Sequence, residues 1–436
     1  LIYKHFDYIK IVYKNFNNMD NYKIEKTLII LIFFSTIFRI FFLEFSLVFL
    51  SFSCLYRCFK KNNFYYFKNK FFIFFKIFYF YILLRYFWID KDIFFLSTSI
   101  IFYFRFGLYV IALYYFLVNI PNLENHFFLS VLLSFLILII DSFIQFFLGQ
   151  NILGLELSGG NRVSSFFGSE LILGSYLLKY LPFIYLLIIK NIHNTRFYFF
   201  LISTIMLSQV VIFISGERAA FIMMIVLTIY FLLTLKTLRV MRIVFFIIST
   251  LIILIVSLNS SAIKERIINQ TINEIIKSDN STNNEIFDKE DLKYNFYLAS
   301  PTHTNYFYTA FNMFNDNKLF GKGPKIYRYL CDDPKFKINE WSCATHPHNY
   351  YIQILAELGI FGFLFVAFFY LHICIQILKN FNKKISEKNN YITCIMCFFF
   401  IGLWPLTTTG NFFNNWVSIS LYLPFSFYLL ANNKYR

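Results

Sequence analysis

The chain has 436 residues, of which 58% are hydrophobic, 23% aromatic and only 15% charged. A soluble globular domain has about 45–50% apolar and about 25% charged residues. The composition therefore excludes a soluble enzyme, a secreted disulfide scaffold and a disordered chain. The formal net charge is +16, but most Lys and Arg residues lie in short segments between apolar runs. The charge thus indicates membrane orientation, and we expect no nucleic-acid partner.

Long apolar runs recur along the whole chain. Several have roughly 18 or more nearly uncharged residues, enough to cross a bilayer as a helix. They are continuous rather than alternating, which excludes a transmembrane β-barrel. We predict an all-α, polytopic integral membrane protein with about twelve transmembrane helices. The predicted spans lie near residues 27–42, 45–59, 70–88, 93–118, 127–148, 171–189, 197–214, 219–235, 241–258, 349–378, 391–407 and 415–431.

The two ends of the chain carry separate signals. The first apolar run, from Leu28, is followed by no small-residue cleavage site, so we expect an uncleaved anchor. Whether residues 1–18 precede a native start at Met19 stays open. Basic residues occupy the N-terminal segment, alternate connectors and the C-terminus, which the positive-inside rule assigns to the cytoplasm.

This orientation leaves four segments on the outer face: 149–170, 215–218, 259–348 and 408–414. The third has roughly ninety residues, which is long for a connector and suggests function. We therefore predict three parts. Residues 1–258 form transmembrane helices one to nine with short loops, residues 259–348 form an external segment, and residues 349–436 form helices ten to twelve.

The densest polar sequence lies where the external segment meets the tenth predicted helix. Pro347 suits the first turn of that helix. Beyond it, polar residues recur every four positions along one helix face: Asn349, Gln353 and Glu357. Such a stripe is costly in a bilayer unless it lines a cavity or faces partners. A neutral imidazole can accept a hydroxyl proton near neutral pH, so His346 and His348 are candidate bases. The alternative is a helix cap whose histidines bond the backbone.

Two arginines are predicted on the outer face. Arg162 lies in the stretch SGGNRVSSFFG, and Arg218 lies in SGERAA, a tight turn between two apolar helices. A guanidinium offers five donors in a planar fork that matches phosphate oxygens. Both residues are therefore candidates to bind a diphosphate whose lipid tail stays in the bilayer. The alternative for Arg218 is an interfacial residue paired with the adjacent Glu217.

Two further pairs have predicted structural roles. Arg105 and Asp141 lie deep in neighbouring predicted helices, and a charge at that depth needs a partner, so we predict that they pair. Cys331 and Cys343 lie in the external segment ahead of the histidines. In an oxidising compartment they could form a disulfide that holds the histidine region in place.

Other chemistries find no support in the sequence. There is no nucleophile elbow for Ser-His-Asp hydrolysis and no HExxH helix for metal catalysis. The two neighbouring histidines have no adjacent carboxylate that would complete a metal site. We therefore predict neither a metal nor a cofactor.

Five stretches together resemble the superfamily of O-antigen ligases and O-antigen polymerases, which transfer glycans in the bacterial envelope. Their order, and the position of the long external segment before the last three helices, are similar to the family along most of the chain. The stretches are residues 145–154, 161–176 (NRVSSFFGSELILGSY), 215–220 (SGERAA), 303–328 with its FGKGP turn, and 345–362 (THPHNYYIQILAELGIFG).

The resemblance implies a multi-pass protein of the bacterial inner membrane whose active site faces the periplasm. Its donor would be a glycan on undecaprenyl diphosphate, and no metal or nucleotide sugar would be needed. By resemblance, Arg162 and Arg218 bind the diphosphate and His348 activates the acceptor hydroxyl, with His346 as second choice. Gln353 and Glu357 are candidates to orient the imidazole or the acceptor.

Three functions remain open at this point. A ligase, whose acceptor is lipid A core, is our first expectation. A polymerase would use the same donor and the growing glycan as acceptor. An exporter of lipid-linked glycans would perform no covalent chemistry and would need no external histidine.

Overall fold

The computed structural model describes residues 22–38, 40–89, 94–159, 161–191, 193–236, 238–259, 301–381 and 386–434. The predictions for residues 1–18, and for the polar first part of the external segment up to residue 300, lie outside the described residues. Within this part of the chain the secondary structure is helical, with two isolated β-bridges in the segment 149–162. The all-α fold class and the polytopic architecture are confirmed.

The described residues form helices at every predicted span. In chain order the α-helices are α1 (Lys23–Phe38), α2 (Ile40–Lys60), α3 (Lys70–Phe87), α4 (Phe104–Asn119), α5 (Leu123–Leu148), α6 (Leu173–Lys190), α7 (Thr195–Ile214), α8 (Arg218–Thr234), α9 (Arg239–Asn259), α10 (Pro301–Asp316), α11 (Tyr327–Leu330), α12 (Tyr350–Phe381), α13 (Glu387–Gly402) and α14 (Asn415–Lys434). A 3₁₀ helix, Phe94–Tyr103, leads into α4, so one predicted span contains both.

Seven helices of the described residues are long and apolar enough to cross a membrane. They are Phe41–Lys60, Phe95–Asn119, Leu123–Leu148, Leu173–Lys190, Thr195–Ile214, Arg239–Asn259 and Tyr350–Asn380. The shorter Arg218–Thr234 helix is also apolar. The chain is therefore a multi-pass membrane protein, while the count of twelve spans and the three-part division stay predictions.

The interior of the bundle is built from aromatic side chains. Phe127 of α5 contacts Phe33 of α1 and Phe183 of α6 edge-on, with ring centroids 5.0 Å and 5.3 Å apart. Phe427 of α14 closes the group at 5.1 Å from Phe183. Lipid supplies little hydrophobic drive between helices, so close packing must hold them. Edge-to-face pairs add about 0.5–1.5 kcal/mol each beyond burial.

The external segment is anchored where α12 opens at Gly359. This glycine has a φ of 65°, and the freed backbone bonds the turn after α10: the Gly323 N–H donates to the Glu357 carbonyl at 2.8 Å, and the Ile360 N–H donates to the Lys318 carbonyl at 2.9 Å. Irregular backbone at membrane depth is tolerated when protein groups satisfy it. The break therefore docks the external segment onto the N-terminal half of α12.

The predicted pair of Arg105 with Asp141 is wrong. The Arg105 guanidinium bonds the Asn415 side-chain oxygen at 2.8 Å and Glu44 at 3.4 Å. Asp141 instead accepts the N–H of Ile152 at 3.0 Å and two side-chain bonds, from Asn151 and Ser165. The physical reason is that the loop after α5 folds back toward the helix. Its backbone and side-chain donors satisfy the Asp141 carboxylate, so the carboxylate does not need a distant cation.

Candidate functional site

His346 is a buried histidine held at both ring nitrogens. Its Nε2 lies 3.1 Å from the Thr409 carbonyl oxygen, and its Nδ1 lies 2.9 Å from the Thr345 hydroxyl. A carbonyl can only accept, so Nε2 carries the proton and Nδ1 accepts from the hydroxyl. The Thr409 N–H in turn donates to the His348 carbonyl at 2.8 Å. The loop before α14 thus fixes the position and tautomer of His346.

His348 is half-buried, and among the described residues neither of its ring nitrogens has a hydrogen-bond partner. Its ring packs against three others, with centroids 4.1 Å from His346, 5.0 Å from His303 and 5.6 Å from Tyr306. In the described part of the chain, no group of three or more His, Cys, Asp or Glu side chains is placed to hold a metal ion. The cluster therefore presents an imidazole whose unprotonated ring nitrogen can accept a proton.

Both candidate bases are neutral at physiological pH. Burial lowers the pKa of His346 to about 4, and the nearby Arg328 and His303 act in the same direction. Burial, with His346 and His303 beside it, lowers the pKa of His348 to about 3. A histidine in its neutral form can accept a proton, which is the state that a general base requires.

Helix α12 begins within one residue of the predicted span 349–378, but the prediction that Pro347 lies in its first turn is wrong. His348 has a φ of 55°, in the left-handed region, so the helical conformation cannot run through it. Helix α12 begins at Tyr350, and the Asn349 side-chain oxygen caps it by accepting the N–H groups of Tyr351 and Ile352 at 3.0 and 3.2 Å. The capping asparagine thus leaves the histidine in the loop, outside the helix.

The other two residues of the predicted stripe are fully buried and bind protein groups. Gln353 donates to Glu357 at 3.1 Å and to the Asn411 side chain at 3.0 Å, and accepts the Phe412 N–H at 2.9 Å. Glu357 accepts the N–H of Tyr327, the first residue of α11, at 2.9 Å. The stripe therefore faces partners: it holds both the loop before α14 and the external segment against α12.

A disulfide between Cys331 and Cys343 joins the end of α11 to the segment that leads to the histidines, with Cα atoms 4.9 Å apart. The Tyr327 hydroxyl donates to the Ser342 carbonyl at 3.2 Å on the same side. Together these bonds restrain the approach to His346.

Both predicted diphosphate arginines lie near the turn between α7 and α8, which Arg162 contacts from the loop before α6. Arg162 is buried, and its Nε donates to the Ser215 carbonyl at 3.0 Å. Arg218 is half-buried and opens α8, three residues further along. Arg162 also interacts electrostatically with Glu217. The turn thus brings the two guanidinium-bearing segments together around one carboxylate.

Glu217 binds the N-terminus of α6. Its carboxylate accepts the N–H groups of Gly174 at 2.6 Å and Ser175 at 3.0 Å, together with the Ser175 hydroxyl. Burial raises the pKa of Glu217, although these bonds and Arg162 oppose the shift. The carboxylate occupies a position where a helix N-terminus attracts negative charge.

Contacts through the loop before α14 connect the histidines with the arginine turn. The Asn411 side chain donates to the Thr345 carbonyl at 3.4 Å, beside His346. Five residues later, the Trp416 ring lies under the ammonium of Lys179, which interacts electrostatically with Glu217. The histidine loop and the arginine turn therefore lie at the same end of the bundle.

Three charged or polar residues of this region were missed by sequence reasoning: Lys179, His303 and Arg328. A signal existed for Lys179, because a lysine inside an apolar helix is unusual and follows Ser175 by one helical turn. His303 and Arg328 are the two ends of the stretch 303–328 that carries the family resemblance, but neither was assigned a role in the site. Only the fold brings them to the histidine loop.

Residues 201–367 match the family model described as O-antigen ligase. No curated protein matches the chain. The matched range contains Arg218 and both histidines of the loop, while Arg162 precedes it. This match confirms the resemblance seen in the sequence: residues 201–367 of this multi-pass membrane protein are similar to the domain of the O-antigen ligase family.

Proposed function

We propose that the chain is a glycosyltransferase that moves a glycan from undecaprenyl diphosphate to a hydroxyl of lipid A core. The observation that carries the proposal is His348, a neutral imidazole with neither ring nitrogen hydrogen bonded among the described residues, at the same end of the bundle as Arg162 and Arg218. The family match supports ligase or polymerase chemistry in general. The donor, the acceptor and the residue roles belong to this proposal.

The reaction follows from the charges. The acceptor oxygen forms a bond to the anomeric carbon, the bond from that carbon to the diphosphate oxygen breaks, and the hydroxyl proton passes to His348. The guanidinium groups of Arg162 and Arg218 stabilise the negative charge that grows on the departing diphosphate. Attack from the face opposite the diphosphate inverts the anomeric centre. Undecaprenyl diphosphate leaves, and the imidazolium returns its proton to water.

The low pKa of His348 fits an active site that becomes competent only when the lipid-linked glycan donor is bound. An imidazole with a pKa of about 3 is a weak base, because its pKa lies far below the working pH. A bound diphosphate brings negative charge near the imidazole and raises its pKa. His348 would therefore become an effective base only when donor is present, which limits proton uptake in its absence.

His346 supports His348 in this scheme. Both of its ring nitrogens already have partners, Thr345 and Thr409, so it can accept a proton at Nδ1 only if the Thr345 hydroxyl turns from donor to acceptor. Its ring packs directly on that of His348. We propose that it positions the base, while the Cys331–Cys343 disulfide restrains the loop that carries both histidines.

The test uses purified protein in lipid nanodiscs with a glycan on undecaprenyl diphosphate as donor. Lipid A core or the same lipid-linked glycan is supplied as acceptor. Lipid A modified in one step supports the ligase, whereas a ladder of products still on undecaprenol assigns a polymerase. Absence of any covalent product with both acceptors contradicts the proposal and favours an exporter, whose transport is then measured in sealed vesicles.

A further inference from the structure

One cation near Glu217 has no role in the scheme above. Lys179 lies on α6, one turn after Ser175, and its ammonium stacks over the Trp416 ring at 4.5 Å from the ring centre. It is half-buried. An ammonium has three hydrogen-bond donors, yet among the described residues none of them has an acceptor. The Lys179 ammonium is therefore a charged hydrogen-bond donor that is held in place by its aliphatic stem and by the Trp416 ring.

Two more donors without acceptors lie beside the first turn of α14. Trp416 is 9% exposed, and its buried indole Nε1 has no hydrogen-bond partner within the described residues. The Nε of Arg105, whose guanidinium bonds the preceding Asn415, is also buried without a partner there. Buried polar groups are almost always hydrogen bonded. The Lys179 ammonium, the Trp416 indole N–H and the Arg105 Nε–H thus have no hydrogen-bond acceptor among the described residues, and unpartnered donors of this kind suit an oxygen-rich anion.

Lys179 interacts with groups that belong to both parts of the proposed active site. On one side, both Lys179 and Arg162 interact electrostatically with Glu217. On the other side, Trp416 belongs to the segment whose Asn411 bonds the backbone beside His346. An anion bound by the arginines would therefore meet Lys179 on the side that faces the histidine loop.

We propose that Lys179 is a third cation that binds the donor diphosphate, with the Trp416 indole N–H as an additional donor. The two arginines would hold the diphosphate from the turn between α7 and α8, while Lys179 neutralises it on the side of the histidine loop. This inference rests on the proposed function, because it assigns a residue to the donor of that reaction. Trp416 positions the ammonium through the cation–π contact.

The experiment measures binding of undecaprenyl diphosphate without glycan to the purified full-length chain in nanodiscs, with inorganic pyrophosphate as competitor. Lys179→Met should weaken the affinity about tenfold or more, a loss of the size expected for one charge-assisted phosphate contact. Lys179→Arg keeps the charge and should lose less. The matched control is Lys76→Met, which removes another lysine that stacks on an aromatic ring, Phe72 at 5.3 Å, and should leave binding unchanged.

A double variant separates ligand binding from internal charge balance. If Lys179 served only to neutralise Glu217, adding Glu217→Gln to Lys179→Met would restore wild-type affinity, and that result would overturn the proposal. Persistence of the loss in the double variant supports it. Unchanged affinity in Lys179→Met alone would also overturn it.

A measurement on the wild-type protein avoids any question of variant folding. Undecaprenyl diphosphate should protect Lys179, which is partly exposed, from reductive methylation, while labelling of Lys76 continues. Equal labelling of Lys179 with and without ligand contradicts the proposal. If the wild type transfers glycan while Lys179 fails these tests, only this inference falls. If the wild type neither binds undecaprenyl diphosphate nor transfers glycan, the proposed function falls with it.

Discussion

Replacing His348 by asparagine removes the proposed base with little disturbance of the loop. The residue has a φ of 55°, a conformation that asparagine adopts more readily than most residues. Its ring nitrogens have no hydrogen-bond partner among the described residues, so the substitution orphans no donor or acceptor there. The main structural loss is ring packing with His303, Tyr306 and His346.

The two expected effects differ in size. General-base catalysis contributes about 10²–10⁴-fold in rate, which corresponds to roughly 3–5 kcal/mol of activation free energy. The lost ring contacts are worth about 0.5–1.5 kcal/mol each. Part of this loss in stability is offset, because the variant no longer pays the desolvation cost of burying an imidazole. We therefore expect His348→Asn to lower the turnover number at least 100-fold while the free energy of unfolding changes by only about 1–2 kcal/mol.

The assay follows transfer of a radiolabelled glycan at saturating donor, with donor affinity and thermal midpoint measured on the same preparation. Turnover should collapse while donor binding and the midpoint remain close to those of the wild type. The comparison variant is His346→Gln, which should lower turnover less because it changes only the group that positions the base. Full turnover in His348→Asn would refute the assignment, and a larger loss in His346→Gln would transfer the role of base to that residue.

Three further predictions concern the loop and its anchor. The folded-state pKa values of His346 and His348 lie below the ordinary value, so the unfolded state binds more protons below about pH 6.5. The thermal midpoint should therefore fall as pH decreases from 6.5 toward 4. The check is a protein in which both histidines are replaced by Gln, which should show a flat profile over this range. Replacing Cys331 and Cys343 by serine should lower the free energy of unfolding by about 2–4 kcal/mol and reduce transfer, measured without reductant; equal midpoints contradict this. Gly359→Ala should destabilise the external segment, because a Cβ there would lie 2.4 Å from the Leu319 backbone, and the readout is faster proteolysis of that segment.

The sequence predicted the helices well because each apolar run is longer than a soluble core helix needs, and the bilayer requires such a run to be helical. Boundaries moved by a few residues in several helices, for example from the predicted 391–407 to the observed Glu387–Gly402. At the histidine loop, Pro347 was predicted to lie in the first turn at the start of the helix, from the general preference of proline for that position. The left-handed conformation of His348 moves that start to Tyr350. A histidine residue does not by itself indicate such a backbone conformation.

Partners across helices were the least predictable feature. Asp141 was predicted to pair with Arg105 because both are charged residues within apolar segments. The prediction assumed that two residues at similar depth in the membrane are also neighbours in the fold. The loop that follows α5 folds back and bonds Asp141 through nearby groups in the chain, whereas Arg105 reaches Glu44 on α2 and Asn415 on α14. A short loop costs little conformational entropy to close, so donors from the adjacent loop bind a buried carboxylate at lower cost than a side chain from a distant part of the chain.

The polar stripe on α12 shows how a correctly predicted pattern can leave the role of its residues open. The four-residue spacing of Gln353 and Glu357 predicted one face, and the structure has that face, but its side chains hold loops instead of pointing at an open site. Gln353 binds the segment before α14, and Glu357 binds the first residue of α11. A change at either residue would therefore act on the proposed base through the backbone that surrounds it. The expected signature is a lower turnover number together with a lower thermal midpoint, which His348→Asn should not show.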